Sequence, residues 1–236
     1  MKKYELTTET LQFAGRTLHR IKAVKDFDSI KAGELGGWIE NEKNLSQDNN
    51  AWIYSEAMAF DNANVFGNAK VYGKANVFAN AKVFGNAKVY DDAEVYGYAN
   101  VFGNAKVYGN AKVSDYAKVY GIANVFGNAN VFGNAEVYGN ANVFGNAEVY
   151  GNAVIKGDAK VHDAVGYIVF KNFWSSGRYF TWTRSDNKWS VGCFYGTGEE
   201  LIKKAYADSE KSGREYERVV RYVESILADE KKEKSD

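Results

Sequence analysis

The sequence predicts a mainly β solenoid with a β module before it and a small α+β module after it. Three observations carry this. Alanine occupies every sixth position from Ala51 through Ala159, 19 times out of 19, so one period governs the middle of the chain. Two residues after each alanine, from Ile53 through Val161, the residue is Val or Ile in 18 of 19 cases, with Ala59 the exception. The residue after that, Tyr54 through Tyr150, is Phe or Tyr in 16 of 17, with Ser114 the exception. Proline is absent from all 236 residues, as suits strands that need their N–H groups in a ladder.

Within each hexad the period of two puts Ala and Val on one face and Lys, Asn or Glu with Phe or Tyr on the other. The Ala/Val face must point inward, because the alternate slots hold lysines and glutamates that could not be buried unpaired. Glycine fills 13 of the 18 positions from Ser55 to Gly157, usually with Asn next. Both tolerate left-handed backbone, so each short strand ends at a corner. Six residues per side with a corner each time build a coil, and no insertion interrupts it between Ala51 and Val161.

On these residues the repeat resembles the hexapeptide motif of left-handed parallel β-helices, which implies triangular coils of three hexads. Nineteen hexads then give about six coils, roughly 30 Å tall at a strand spacing of ~4.8 Å. The outward aromatics fall into columns 18 residues apart. One holds Tyr54, Tyr72, Tyr90, Tyr108, Phe126 and Phe144, and a second Phe66, Phe84, Phe102, Tyr120 and Tyr138. The third holds Phe60, Phe78, Tyr96, Phe132 and Tyr150.

Residues 1–37 lack the repeat and read as a hairpin cap, with Gly15 in the turn, over the open edge of a 38–163 β-helix. Trp38, Ile39, Leu45 and Trp52 are expected to cover the first coil. The 164–236 segment reads as three strands (Tyr167–Phe170, Arg178–Arg184, Lys188–Phe194) and two helices. Thr197 opens the first helix, Ser212 caps the second, and the tail Asp229–Asp236 frays.

The stretches Gly33–Glu40 and Trp174–Phe180, the repeat, Val191–Phe194 and Glu199–Ile202 resemble prophage-type hexapeptide-repeat proteins, some labelled polymer-forming or transferase-like. The resemblance implies the β-helix fold and a phage context.

The 30 basic and 30 acidic residues cancel, which argues against a broad nucleic-acid surface. A lone Cys193, no apolar segment after the N-terminal lysines and no run of about 18 apolar residues predict a cytoplasmic protein of a bacterial host, not membrane-bound. Only His19 and His162 are present. That is too few for the three-His metal site of a β-helix hydratase, and no metal or other cofactor is expected. His162 takes the aromatic slot of the last hexad and is expected as an exposed surface residue; no catalytic residue is assigned.

The reading that follows is a non-enzymatic protein acting by self-assembly and partner binding. The alternatives are a phage counter-defence protein that binds a host protein or nucleotide signal, and a hexapeptide-repeat acyltransferase. Candidate oligomer faces are Tyr72, Tyr90 and Tyr108, and Phe66, Phe84 and Phe102, with a homotrimer ahead of a dimer. Candidate contacts for a host protein or small anionic ligand are Trp174, Arg178, Trp182, Arg184, Lys188 and Trp189. Tyr98 and Tyr116, which replace corner Asn one coil apart, join them.

Overall fold

The hexads wind into a three-sided, left-handed parallel β-helix, seen in a computed structural model that describes residues 2–233. The chain separates into two compact units, one ending at Gly166 and the other starting at Tyr167. In the first, strands β1 (Tyr4–Phe13) and β2 (Arg16–Ala23) form an antiparallel hairpin. Its two-residue turn has both Ala14 and Gly15 at positive φ, the geometry that matches strand twist. Strand β3 (Leu35–Ile39) pairs antiparallel with β2 and parallel with β5 (Met58–Ala59), and so converts hairpin into solenoid.

Nineteen two-residue strands follow, from β4 (Trp52–Ile53) through β22 (Lys160–Val161). Each of the first sixteen pairs with the strand 18 residues on, giving three parallel sheets that end at β20 (Glu148–Val149), β21 (Val154–Ile155) and β22. The coil count is seven, against the six expected, because two sides precede the repeat. Ile39 pairs with Ala59, and Leu45 bridges to Val65. Neither carries a hexad, so neither shows the periodic signal. Ile39 and Leu45 therefore point into the prism as part of the first coil instead of covering it.

Every inward Ala and Val or Ile of the repeat is 0% exposed, which makes the interior a dry stack. Backbone bonds tie coil to coil at each rung, as from Lys88 N to Ala105 O (2.9 Å) and Tyr90 N to Val107 O (3.0 Å). The five corner positions without glycine, Ser55, Asp61, Ala79, Asp91 and Asp115, all keep positive φ. The aspartates have a reason to accept that strain. Asp61, Asp91 and Asp115 each take a hydrogen bond from the amide 18 residues on, at Ala79 (3.2 Å), Gly109 (3.1 Å) and Gly133 (3.0 Å). Corner asparagines stack likewise, Asn68 to Asn86 to Asn104 at 3.1 Å per step.

The first coil is closed by close approach. A Cβ on Gly36 would lie 2.6 Å from Ile21 and Trp52, and one on Gly37 would lie 2.4 Å from Ala57 O, so only glycine fits there. Trp52 is 0% exposed although it sits at an outward position, because Tyr4 and Phe27 meet it edge-on. The step from Leu45 to Ile53 is two residues longer than a hexad, and Lys3 plugs the widened corner. Its ammonium reaches the carbonyls of Ala51 (2.8 Å), Asp48 and Asn49 (both 3.4 Å).

Burial, with Lys70 nearby, lowers the Lys3 ammonium from 10.5 to about 8. Between about pH 8 and 10 the unfolded chain keeps a proton that the folded chain has shed, so stability rises with pH there. Above about 10 the sign reverses. Burial raises Tyr90 to about 12 and Tyr120 higher still, so the unfolded chain loses protons that the folded chain retains. Melting temperature is expected to climb from pH 8 to 10 and then fall, and Lys3→Met should flatten the climb. A midpoint independent of pH from 8 to 10 in the parent would contradict this.

The second unit has four strands where three are expected: β23 (Tyr167–Lys171), β24 (Tyr179–Thr183), β25 (Lys188–Val191) and β26 (Phe194–Gly196), an antiparallel meander. Gly192 at φ +54 turns the third expected strand back on itself. Helix α1 (Gly198–Asp208) starts with a Thr197–Glu200 capping box. Helix α2 (Glu210–Glu233) begins before Ser212. The serine at the junction is Ser209, which bonds the Ser212 amide and ends α1. The expected fraying from Asp229 is not seen through Glu233, and residues 234–236 lie outside the described residues.

Candidate functional site

One face of the solenoid gathers charge and aromatic surface. Its outward positions run Lys70, Lys88, Lys106, Asn124, Asn142 and Lys160 in register. Beside them runs the ring column from Tyr54 to Phe144, continued by His162. From Tyr72 to Phe144 the rings stack with centroids 4.7–5.1 Å apart. Tyr54 breaks the stack by turning 83° to Tyr72. The opening is a cleft of about 550 Å³ lined by Asp28, Ser29, Tyr54, Ser55, Lys70, Tyr72, Gly73 and Lys88.

Lys70 is held in the cleft by Asp28 (2.6 Å) and Asn50 O (2.8 Å). That bond keeps the Asp28 carboxyl below its ordinary range. Lys88 and Lys106 have no carboxylate partner among the described residues, so positive charge is left along the face.

His162 stands at the far end, about three coil rises or ~14 Å beyond Tyr108. Its ring meets Phe144 edge-on at 5.1 Å, and its side chain is 65% exposed. The Asp163 carboxylate lies 3.7 Å from Nδ1. Nε2 leans over Gly145, where a Cβ would come within 2.8 Å, so the corner glycine sets the ring's place. His19 lies instead on β2, opposite Thr10 and Ile39.

The C-terminal candidates are placed differently from the sequence expectation. Trp182 and Trp189 are each 1% exposed, in a core with Phe180, Leu201, Tyr216 and Val220, and cannot face a ligand. Trp174 packs edge-on against Phe180 and Tyr216. Arg184 makes a bidentate pair with Glu230 (2.6 and 3.0 Å), and Lys188 is half-buried beside the first turn of α1. Arg178 lines a cavity of about 250 Å³, with Asn172, Lys204, Asp208 and Tyr216 among its walls. The helices' apolar stripes needed a partner, and these rings are it.

Tyr98 and Tyr116 are exposed and stacked at 5.1 Å. The rings of Tyr72, Tyr90 and Tyr108, and of Phe66, Phe84 and Phe102, are half-buried by stacking within one chain. Sequence reasoning missed the cleft, since nothing in the repeat says that Asp28 folds over Lys70.

No protein-family model matches the chain. Over 69 residues it is 39% identical to a protein of Escherichia coli (strain K12) named uncharacterized acetyltransferase YdcK. The chain is in part similar to a named acetyltransferase. The matched stretch is 25% of this chain and spans about a fifth (21%) of the relative's length. This overturns the expectation of a non-enzymatic protein and favours the acyltransferase alternative. The scarcity of histidine does not exclude such chemistry, for one base is enough to deprotonate an acceptor. Among the described residues no helix is long and apolar enough to cross a membrane, and no group of three or more His, Cys, Asp or Glu is arranged for a metal.

Proposed function

We propose that the chain transfers an acyl group from a coenzyme A thioester to an amine or hydroxyl acceptor along its lysine–aromatic face. The observation that carries this is the partial identity to a named acetyltransferase. The face supports it by its chemistry. Lys88 and Lys106 offer uncompensated ammonium groups to the donor's phosphates, and Tyr72 offers a ring beside them. His162 takes a proton from the acceptor as its nitrogen or oxygen attacks the thioester carbonyl. The carbon–sulfur bond then breaks, and the proton passes to the leaving thiolate.

Acetyl-coenzyme A is expected to bind the intact chain saturably in equilibrium dialysis, more weakly as salt rises. The double variant Lys88→Glu, Lys106→Glu should raise Kd at least ~10-fold, since each contact to a charged group is worth roughly 1.5–3 kcal/mol. Its melting temperature should stay at the parent's value. Absence of binding at millimolar donor would overturn the reading.

A further inference from the structure

The third aromatic column is interrupted once. Phe60, Phe78 and Tyr96 stack at 5.1 and 4.9 Å, and Phe132 and Tyr150 stack at 5.2 Å, but Ser114 stands between Tyr96 and Phe132. The strands beneath stay in register, Val95 to Val113 to Val131, so nothing in the backbone closes the gap. Tyr96 and Phe132 are thus two coil rises apart, about 9.6 Å. One ring midway would sit ~4.8 Å from each, which is the spacing the columns themselves use.

Ser114 forms the floor at 8% exposure, and its hydroxyl makes no hydrogen bond among the described residues. On the rim Lys112 and Glu94 compensate each other at 3.0 Å, and the Asp115 carboxylate beside Ser114 is turned to the Gly133 amide at 3.0 Å. Three further departures from the repeat fall at the adjoining corner. Asp115 replaces glycine and bonds the Gly133 amide, while Tyr98 and Tyr116 replace asparagine and stand 53% and 59% exposed. The sequence thus drops one shielded ring and sets two exposed rings beside the space it leaves.

We propose that this slot binds one neutral, flat heteroaromatic ring of a small molecule, sandwiched between Tyr96 and Phe132 and hydrogen-bonded to Ser114 Oγ. The corner pair Tyr98 and Tyr116 flanks its mouth. The site lies on a different face from the lysine ladder and does not depend on acyl transfer.

The test is NMR titration of the full chain with adenosine and, separately, indole. Upfield ring-current shifts of the probe are expected, with saturation. Ser114→Ala should weaken binding several-fold by removing the hydroxyl while keeping the slot. Ser114→Tyr should complete the column, raise the melting temperature and abolish the shifts. The proposal is overturned if neither probe shifts at millimolar concentration, or if Ser114→Tyr binds as well as the parent. It is equally overturned if Ser114→Tyr melts lower, since the gap would then not hold a ring.

Discussion

Val107→Asp abolishes the folded state. Val107 is 0% exposed and lies between Val89 and Val125, each directly in register. An aspartate there meets only apolar side chains. The ladder already uses the neighbouring amides, as Lys106 N bonds Ala123 O and Tyr108 N bonds Val125 O. Burying an unpaired carboxylate in such a stack places the change among the exceptional substitutions, above ~4–5 kcal/mol. Circular dichroism should show no cooperative melt, and size exclusion should show aggregate. Val107→Ile is the control and should cost only ~1–3 kcal/mol of overpacking. An aspartate variant melting within a few degrees of the parent would remove the inward assignment of the valine column.

Trp52→Ala is expected to lower stability by ~3–5 kcal/mol, the range for a large aromatic truncated in a core. The indole joins the hairpin cap to the first coil through Tyr4 at 6.2 Å and Phe27 at 5.3 Å, and Gly36 is bare to make room for it. Its Nε1 is buried without a partner, so truncation strands no hydrogen bond and the loss reads as packing. Thermal melting checks the size of the effect. Amide exchange should accelerate at Leu35–Ile39 before it does in β13 (Lys106–Val107). Unchanged exchange at Leu35–Ile39 would mean the cap does not rest on Trp52.

The prism was legible because its buried positions recur with strict spacing, and burial is what a period of two and six reports. Leu45 and Ile39 escaped that reading because a coil side needs one inward apolar residue, not a hexad. Trp52 escaped it because period marks which way a side chain points, and another segment can still cover an outward one. The corner aspartates illustrate a third limit. Asp91 looks like a lapse from glycine until the coil brings Gly109 N to its carboxylate, 18 residues away. In the C-terminal unit, mixed Trp and Arg suggested a binding surface. Tyr216, Val220 and Val223 on one helix stripe already required an apolar partner, and that signal pointed to the rings as core. The candidate site was half legible. The lysine ladder and His162 follow from position, whereas the cleft depends on where the non-repeating N-terminal segment folds.

Acyl transfer along the lysine–aromatic face stands or falls with His162 as the base. The direct measurement is thiol release from acetyl-coenzyme A by the full chain with amine acceptors, run beside His162→Asn with melting curves for both. His162 is 65% exposed and meets a ring edge, a corner glycine and the exposed Asp163 carboxylate, so the substitution should leave the melting temperature unchanged. Loss of a general base predicts a fall in kcat of ~10²–10⁴ with KM for the donor nearly constant. Equal thiol release by His162→Asn and the parent would contradict the account.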